Sequence, residues 1–181
     1  MYKRQAQALT DIPASRLLDI AGGSGIYATA LVDARPDLQA TIFERTPVDA
    51  AARVLLADRG YGERVTVLAG DMFEGLPDGH DLHLLSHTLH DWDQDAVRRI
   101  LEASFRALSP GGWLVDHDAH INDQKTGPLP IARYSVLLAH STEGKCWSVL
   151  ELEVFLRDAG FTDVSERPAG PDRSVLLARR P

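Results

Sequence analysis

Four of the seven histidines lie close together in the middle of the chain. In the segment HDLHLLSHTLHDWDQD they are His80, His83, His87 and His90. In an extended strand His83 and His87 would point one way and His80 and His90 the other, and no cysteine lies nearby to complete a zinc site. We therefore expect no metal site, and we expect His83 and His87 to be polar residues packed in or beside a sheet.

His90 differs because it follows the end of the predicted strand and precedes Asp91 and Trp92. An imidazole, with a pKa near 6.5, suits removal of a proton at neutral pH, and a phenol with a pKa of about 10 needs such a base to ionise. Asp118, at the end of a later predicted strand, can orient the imidazole through its other nitrogen. The alternative is a loop histidine that caps the next helix.

A glycine loop provides the second chemical signal. The segment LLDIAGGSGIYATAL predicts a strand, a tight turn at Gly23 and Gly25, and a helix whose free N–H groups face a ligand. The spacing from Gly23 to Ala28, with Glu44 about 20 residues further on, also fits a dinucleotide fingerprint. The loop alone therefore leaves a nicotinamide oxidoreductase open.

Acidic residues at predicted strand ends favour another ligand. Asp19 precedes the glycines, where a carboxylate can meet a cationic amino group, and the turn Gly70–Asp71–Met72–Phe73 offers an acceptor beside apolar side chains that suit an adenine ring. The carboxyl ends of parallel strands meet at one edge of a sheet, so Asp19, Glu44 and Asp71 should lie together. A nucleoside with an amino-acid tail fits them better than a dinucleotide; the alternative is solvated strand ends.

The elements that position these residues follow from apolar runs that alternate with segments of helical period. This alternation predicts an α/β fold with a doubly wound parallel sheet. The predicted strands are Arg16–Ile20, Ala40–Phe43, Val65–Leu68, Asp81–Ser86 and Trp113–Asp116, followed by a terminal hairpin of Thr162–Glu166 and Ser174–Ala178.

Helix signals lie between the strands. Thr46 is a predicted cap with Pro47 at the first helical position, and Ser148 with Glu151 forms a predicted capping box for a helix that ends at Gly160.

Composition limits the partners. The 181 residues fit one domain, and a net charge of −7 argues against nucleic-acid binding and favours small molecules. The single cysteine excludes an internal disulfide, and no apolar run approaches the roughly 20 residues of a membrane span. Because the first residues lack the apolar stretch of a secretory signal, we expect a cytoplasmic protein with no membrane partner.

Five motifs in order carry a family resemblance: LLDIAGGSG, GDMF, SHTLHDWDQD, ALSPGG and DAGF. Together they resemble the plant-type small-molecule O-methyltransferases and their bacterial relatives, class I enzymes that use S-adenosyl-L-methionine. The resemblance covers residues 16–180. It implies a Rossmann-like seven-stranded sheet with an antiparallel last strand, and methylation of a hydroxyl, most simply a phenolic one, on a small metabolite.

The resemblance also assigns residues. It gives His90 the role of general base, with Asp118 and Asp91 beside it, and it places the remaining candidates around S-adenosyl-L-methionine. These cofactor candidates are Asp19, Gly22, Gly23, Gly25, Glu44, Gly70, Asp71, Met72, Phe73 and Ser86.

The sequence departs from the family at three places. Residues 144–148 read GKCWS where the family often has GKERT, so the second acidic partner of His90 is missing or is supplied by Glu143. Ser86 stands where plant members often have lysine. Family members also have an N-terminal helical dimerisation domain, so we expect residues 1–15 to be a remnant of its linker, residues 16–181 to be the catalytic domain, and a longer form to be a homodimer.

Two expectations follow from these departures. If an N-terminal domain normally covers this region, the chain should expose apolar surface around the segment Ile131–Leu138. The altered GKCWS segment keeps open a domain that binds S-adenosyl-L-methionine without catalysis, or that methylates carbon or nitrogen.

Overall fold

Seven short strands form one mixed sheet. The computed structural model describes the backbone of residues 2–181 and the side chains of residues 3–181. The strands are β1 Arg16–Ile20, β2 Gln39–Glu44, β3 Val65–Ala69, β4 His80–Ser86, β5 Leu108–Asp118, β6 Thr162–Pro168 and β7 Ser174–Arg179. Their order is β3-β2-β1-β4-β5-β7-β6, and β7 runs antiparallel to both of its neighbours. The predicted doubly wound sheet with an antiparallel last strand is confirmed.

Helices cover both faces of the sheet. They are α1 Tyr2–Ala8, α2 Ile26–Ala34, α3 Val48–Asp58, α4 Gln94–Ala107, α5 Leu129–Ser141 and α6 Val149–Ala159, with a short 3-10 helix at Leu89–Asp91. Among the described residues, no helix has the length and apolar character needed to cross a bilayer.

Local signals fix both ends of α6. The capping box of α6 is present, because the Ser148 hydroxyl accepts from the Glu151 N–H while the Glu151 carboxylate accepts from the Ser148 N–H. Gly160, with a φ of 106°, ends this helix as predicted. The predicted start of α3 is wrong by one residue: the helix begins at Val48, and Pro47, predicted at the first helical position, is the residue before it.

Alternation along the strands separates two apolar layers. In β1, Leu17 packs with α1, α2 and α3 on one face, whereas Leu18 packs with α4 and α6 on the other. Both side chains are fully buried. A central strand that is buried on both faces has a continuous apolar sequence. The run LLDI therefore predicts β1.

The first described residues pack on this core. Ala6 and Leu9 are buried against the layer that contains α2, and the Arg167 guanidinium donates to the Ala8 carbonyl at 3.0 Å.

The segment Ile131–Leu138 forms most of α5, and it exposes apolar surface, as expected, on one side of the helix. Ile131 and Leu138 are buried, whereas Val136 and Leu137 are exposed by 61% and 60%. Because a helix has 3.6 residues per turn, some positions of the segment face the core and others face solvent. The low charge of the segment does not show which positions are buried.

Close backbone packing after α5 holds the segment that follows β4. A Cβ atom at Gly144 would lie 2.2 Å from the His90 carbonyl oxygen and 2.6 Å from the Trp92 nitrogen, so only glycine fits there. The indole N–H of Trp147 donates to the Leu89 carbonyl at 3.1 Å and holds the same segment from the other side.

We expect Gly144→Ala to lower the free energy of unfolding by about 1–3 kcal/mol, because backbone atoms cannot move aside as a flexible side chain can. Denaturant unfolding measures the change. The matched control is Gly62→Ala, where an added Cβ meets nothing within 4 Å. Equal stabilities of the two variants would contradict the packing argument.

Candidate active site

A buried hydrogen bond joins the ends of β4 and β5. These strands are neighbours, with Ser86 in register with His117, so the residues beyond β4 come close to Asp118 at the end of β5. The Nδ1 atom of His90 lies 2.7 Å and 2.8 Å from the two carboxylate oxygens of Asp118. The side chains of His90 and Asp118 are only 6% and 5% exposed. The contact predicted between them is therefore present.

The electrostatics of this pair favour the charged form of both partners. Burial alone would lower the pKa of His90, but the hydrogen bond and charge of Asp118, together with Asp91 and Asp116, raise it above its usual value. Burial would raise the pKa of Asp118, but its hydrogen bond with His90 and the charge of His90 lower it. The carboxylate therefore orients the imidazole and makes it a stronger proton acceptor.

The other ring nitrogen of His90 faces the hydroxyl group of Tyr134. Its Nε2 lies 3.2 Å from the Tyr134 hydroxyl of α5 and 3.5 Å from an Asp91 oxygen. Glu143, which the sequence offered as a second acidic partner, is exposed, and its backbone N–H donates to the Asp91 carbonyl. Tyr134 and Asp91 thus flank Nε2, and Glu143 contributes no side-chain contact there.

Cys146, which stands where the family often has glutamate, supplies no charge. It is buried, and burial raises the pKa of its thiol to about 11. Its backbone N–H donates to the Ser135 hydroxyl at 3.1 Å.

His87 lies in the site rather than in the sheet, which corrects the strand-based prediction. β4 ends at Ser86, and His87 has a φ of 57°, so the alternation of side chains stops there. Its Nδ1 lies 3.7 Å from an Asp118 oxygen. His83, by contrast, is a buried core residue as expected, with Nδ1 2.8 Å from the Ser104 hydroxyl.

A cleft of about 280 Å³ opens beside His87 and Asp91, close in the chain to His90. Its walls come from the ends of β2 and β3 and from the segment after β4. The residues that line it are Ala21, Phe43, Glu44, Arg45, Gly70, Asp71, Met72, Phe73, His87, Thr88, Asp91 and Trp92. Five of the predicted cofactor residues are among them: Glu44, Gly70, Asp71, Met72 and Phe73.

The floor of the cleft is tightly built. A Cβ at Gly70 would lie 2.3 Å from the Phe43 ring, so glycine is required where β3 ends. The Phe73 ring packs edge-on against Trp92, with centroids 4.7 Å apart. The Asp71 carboxylate accepts from the Phe73 N–H at 2.8 Å and fixes the turn.

The glycine loop sits next to the cleft without lining it. Gly25 ends the loop with a φ of 71°, and a Cβ there would lie 2.4 Å from Ile42. The N–H of Gly23 donates to the Glu44 carboxylate at 3.1 Å and ties the loop to the end of β2. A Cβ at Gly22 would lie 2.6 Å from the Asp19 carboxyl carbon, so this glycine makes room for Asp19.

Asp19 is a buried carboxyl group next to the glycine loop. It is fully buried, and neither of its oxygens has a close hydrogen-bond partner among the described residues. Burial raises the pKa of this carboxyl to about 7, the Ala28 backbone N–H offsets part of the rise, and the charge of Glu44 adds to it. A buried polar group without a partner is costly, which points to a ligand as the missing partner.

Ser86, predicted among the cofactor residues, is the last residue of β4, and its role toward the cofactor stays a prediction. Its hydroxyl lies 2.8 Å from His117 Nδ1, and it does not line the cleft.

Sequence reasoning missed His87 and Tyr134 as members of the site. The signal for His87 was its position directly after the strand. No local signal marks Tyr134, because only tertiary packing brings α5 to His90.

Comparisons with known proteins agree with this geometry. Residues 4–162 match the O-methyltransferase domain family. The mitomycin biosynthesis 6-O-methyltransferase of Streptomyces lavendulae is 38% identical over 168 residues, 92% of this chain and 48% of that protein. The 3-hydroxy-5-methyl-1-naphthoate 3-O-methyltransferase of Streptomyces sahachiroi is 34% identical over 178 residues, 97% of this chain and 52% of that protein.

A solved structure has the same fold over nearly the whole chain. The human N-acetylserotonin methyltransferase in complex with SAM has a TM-score of 0.88 at 26% identity, over 99% of this chain and 50% of that chain. The present chain thus spans about half the length of the curated relatives it matches.

We expect Asp118→Asn to lower the pKa of His90. The variant keeps the burial that lowers this pKa and removes the charge that raises it most. An NMR titration of the His90 ring measures the change, and Asp123→Asn, at an exposed position, is the control. A His90 titration that is identical in the two variants would rule out Asp118 as the cause.

We expect Asp19→Asn to stabilise the ligand-free protein. The pKa of Asp19 is higher in the folded chain than in the unfolded chain, so ionisation opposes folding as the pH rises from about 3.8 to about 7. The gain should be absent below pH 3.8 and complete above pH 7, with an upper limit of about 4 kcal/mol. Thermal unfolding across this range measures it. A stability loss that does not depend on pH would contradict the argument.

Proposed function

Because the chain belongs to the O-methyltransferase domain family, we propose that it binds S-adenosylmethionine and transfers the methyl group to a phenolic hydroxyl of a small metabolite. His90 is the general base in this proposal. The observation that carries it is the buried hydrogen bond between His90 and Asp118, which leaves Nε2 of His90 facing the Tyr134 hydroxyl, 3.2 Å away.

The residues around the cleft suit the cofactor. Glu44 presents a carboxylate at the end of β2, where ribose hydroxyls can donate, and Met72 with Phe73 provides apolar surface for an adenine ring. The buried, unpartnered carboxylate of Asp19 suits a cationic amino group near the glycine loop. When bound, S-adenosylmethionine supplies a methyl group on a sulfonium, which is already activated for transfer.

The task of the protein is then to position the acceptor and to take its proton. The Nε2 atom of His90 accepts the proton of the acceptor hydroxyl, while Asp118 holds the opposite nitrogen and stabilises the imidazolium that forms. The Tyr134 hydroxyl, 3.2 Å from Nε2, fills the position that the acceptor oxygen takes in this proposal, so Tyr134 gives way when the acceptor binds. Positioning supplies most of the rate because the methyl donor needs no further activation.

The acceptor site needs more walls than the described residues provide. The exposed apolar residues of α5, Val136 and Leu137, lie on the helix that carries Tyr134. We propose that a helical domain of the kind implied by the resemblance covers this helix in a longer, homodimeric form, and that residues 1–15 link it to the catalytic domain 16–181.

We expect His90→Asn to reduce methyl transfer by about 10²–10⁴-fold and to leave S-adenosylmethionine affinity nearly unchanged, because a base acts in the chemical step. The wild-type rate should rise with pH as His90 loses its proton, at a pH above the usual histidine value. Calorimetry measures cofactor binding, and mass spectrometry of a phenol panel measures transfer and shows whether oxygen, nitrogen or carbon is methylated.

The control for this experiment is His140→Asn, which changes an exposed histidine of α5. Full transfer by His90→Asn would overturn the base assignment. Binding of a nicotinamide dinucleotide in place of S-adenosylmethionine would overturn the cofactor assignment.

A further inference from the structure

Three metal-ligating side chains converge on the buried side of the proposed base. His87, His90 and Asp118 each offer a ligand atom, and these atoms all lie within 4.8 Å of one another. We propose that they form a Zn²⁺ site, and that zinc bound there blocks His90. The site itself depends only on this geometry, whereas its inhibitory effect rests on the proposed function.

The spacing is close to what zinc needs. With zinc–ligand bonds of about 2.0–2.2 Å, neighbouring ligand atoms in a tetrahedral site lie about 3.3 Å apart. Asp118 Oδ1 lies 2.7 Å from His90 Nδ1 and 3.7 Å from His87 Nδ1. Shifts of roughly half an ångström therefore bring both pairs to the tetrahedral spacing, which leaves a fourth position for water.

The backbone conformation of His87 directs its side chain toward Asp118. A φ of 57° is uncommon for a residue with a side chain, and it turns His87 out of the strand direction toward Asp118. The ring packs edge-on against those of His90 and His117, with centroids 5.6 Å and 5.2 Å away. Its Nε2 is buried and has no partner among the described residues. These ring contacts, with a third to Tyr27 at 5.8 Å, hold the ring in the position in which Nδ1 faces Asp118.

The pattern of the site also explains why the sequence did not reveal it. Strand alternation placed His87 and His90 on opposite faces, but both lie beyond the end of β4, and the third ligand comes from β5. Asp118 is 28 residues from His90 in the sequence and meets it only because β4 and β5 are neighbours.

The ligand types select the ion. Two imidazoles and one carboxylate suit zinc and similar borderline ions, whereas Mg²⁺ prefers oxygen ligands and retains its waters. The His87 side chain is 21% exposed, whereas those of His90 and Asp118 are 6% and 5% exposed. The ion therefore enters the site from the side of His87.

Zinc in this position would compete directly with proton transfer. It would hold Nδ1 of His90 and draw Asp118 away from that nitrogen, so the imidazole would lose the partner that raises its basicity. We therefore expect added Zn²⁺ to inhibit methyl transfer and a chelator to restore it.

The test uses Co²⁺ as a visible probe and Zn²⁺ as the competitor. Titration of the chain with Co²⁺ should give the intense absorption of a tetrahedral site at one ion per chain, and Zn²⁺ should displace it while Mg²⁺ does not. His87→Asn keeps a residue that tolerates positive φ and removes a ligand. Loss of a ligand should weaken zinc at least about 100-fold, since loss of an outer-shell partner already costs 10–100-fold.

Two further variants complete the design. Asp118→Asn removes the charged ligand with little change in shape and should also abolish the tetrahedral spectrum, whereas His140→Asn, at an exposed histidine, should leave it intact. The absence of a tetrahedral spectrum in the wild type, or equal zinc affinity in wild type and His87→Asn, would overturn the site. A normal spectrum without inhibition of transfer would leave the site standing and overturn the role of His90 as base.

Discussion

The hydrogen bond between His90 and Asp118 is the interaction on which the rest of the site depends. Both groups are removed from water, and the charge on each is tolerable only because the other is present. The surrounding structure keeps them together: β4 and β5 bring their ends side by side, the Trp147 indole holds the Leu89 carbonyl, and Gly144 allows the loop after α5 to pack on the His90 backbone. The packing around this short segment therefore determines the geometry of the proposed proton acceptor.

The sequence predicted the features that are encoded locally. Continuous apolar runs identified the central strands, and Ser148 with Glu151 identified the start of α6, because each signal needs only a few neighbouring residues. The proximity of Asp118 to His90 was also predictable, since both follow parallel strands whose ends share an edge. The start of α3 was misplaced because proline is compatible with more than one position near a helix start.

The parts of the site that escaped prediction depend on tertiary structure or on a single backbone angle. Tyr134 reaches His90 only through the packing of α5, which no pattern near residue 134 specifies. His87 was assigned to the wrong environment because a positive φ ends the alternation one residue after β4. The contact of the Ser86 hydroxyl with His117 was likewise not predicted, because it joins two neighbouring strands.

The replacement of an acidic family residue by Cys146 has a practical consequence. This is the only thiol of the chain, it is buried, and a pKa of about 11 leaves only about one molecule in 10⁴ as thiolate at neutral pH. Alkylating reagents and maleimide dyes, which react with the thiolate, will therefore leave the native chain largely unlabelled. A cysteine introduced at any exposed position would then be the single reactive handle, so fluorescent or spin labels can report on this domain without removal of the natural residue.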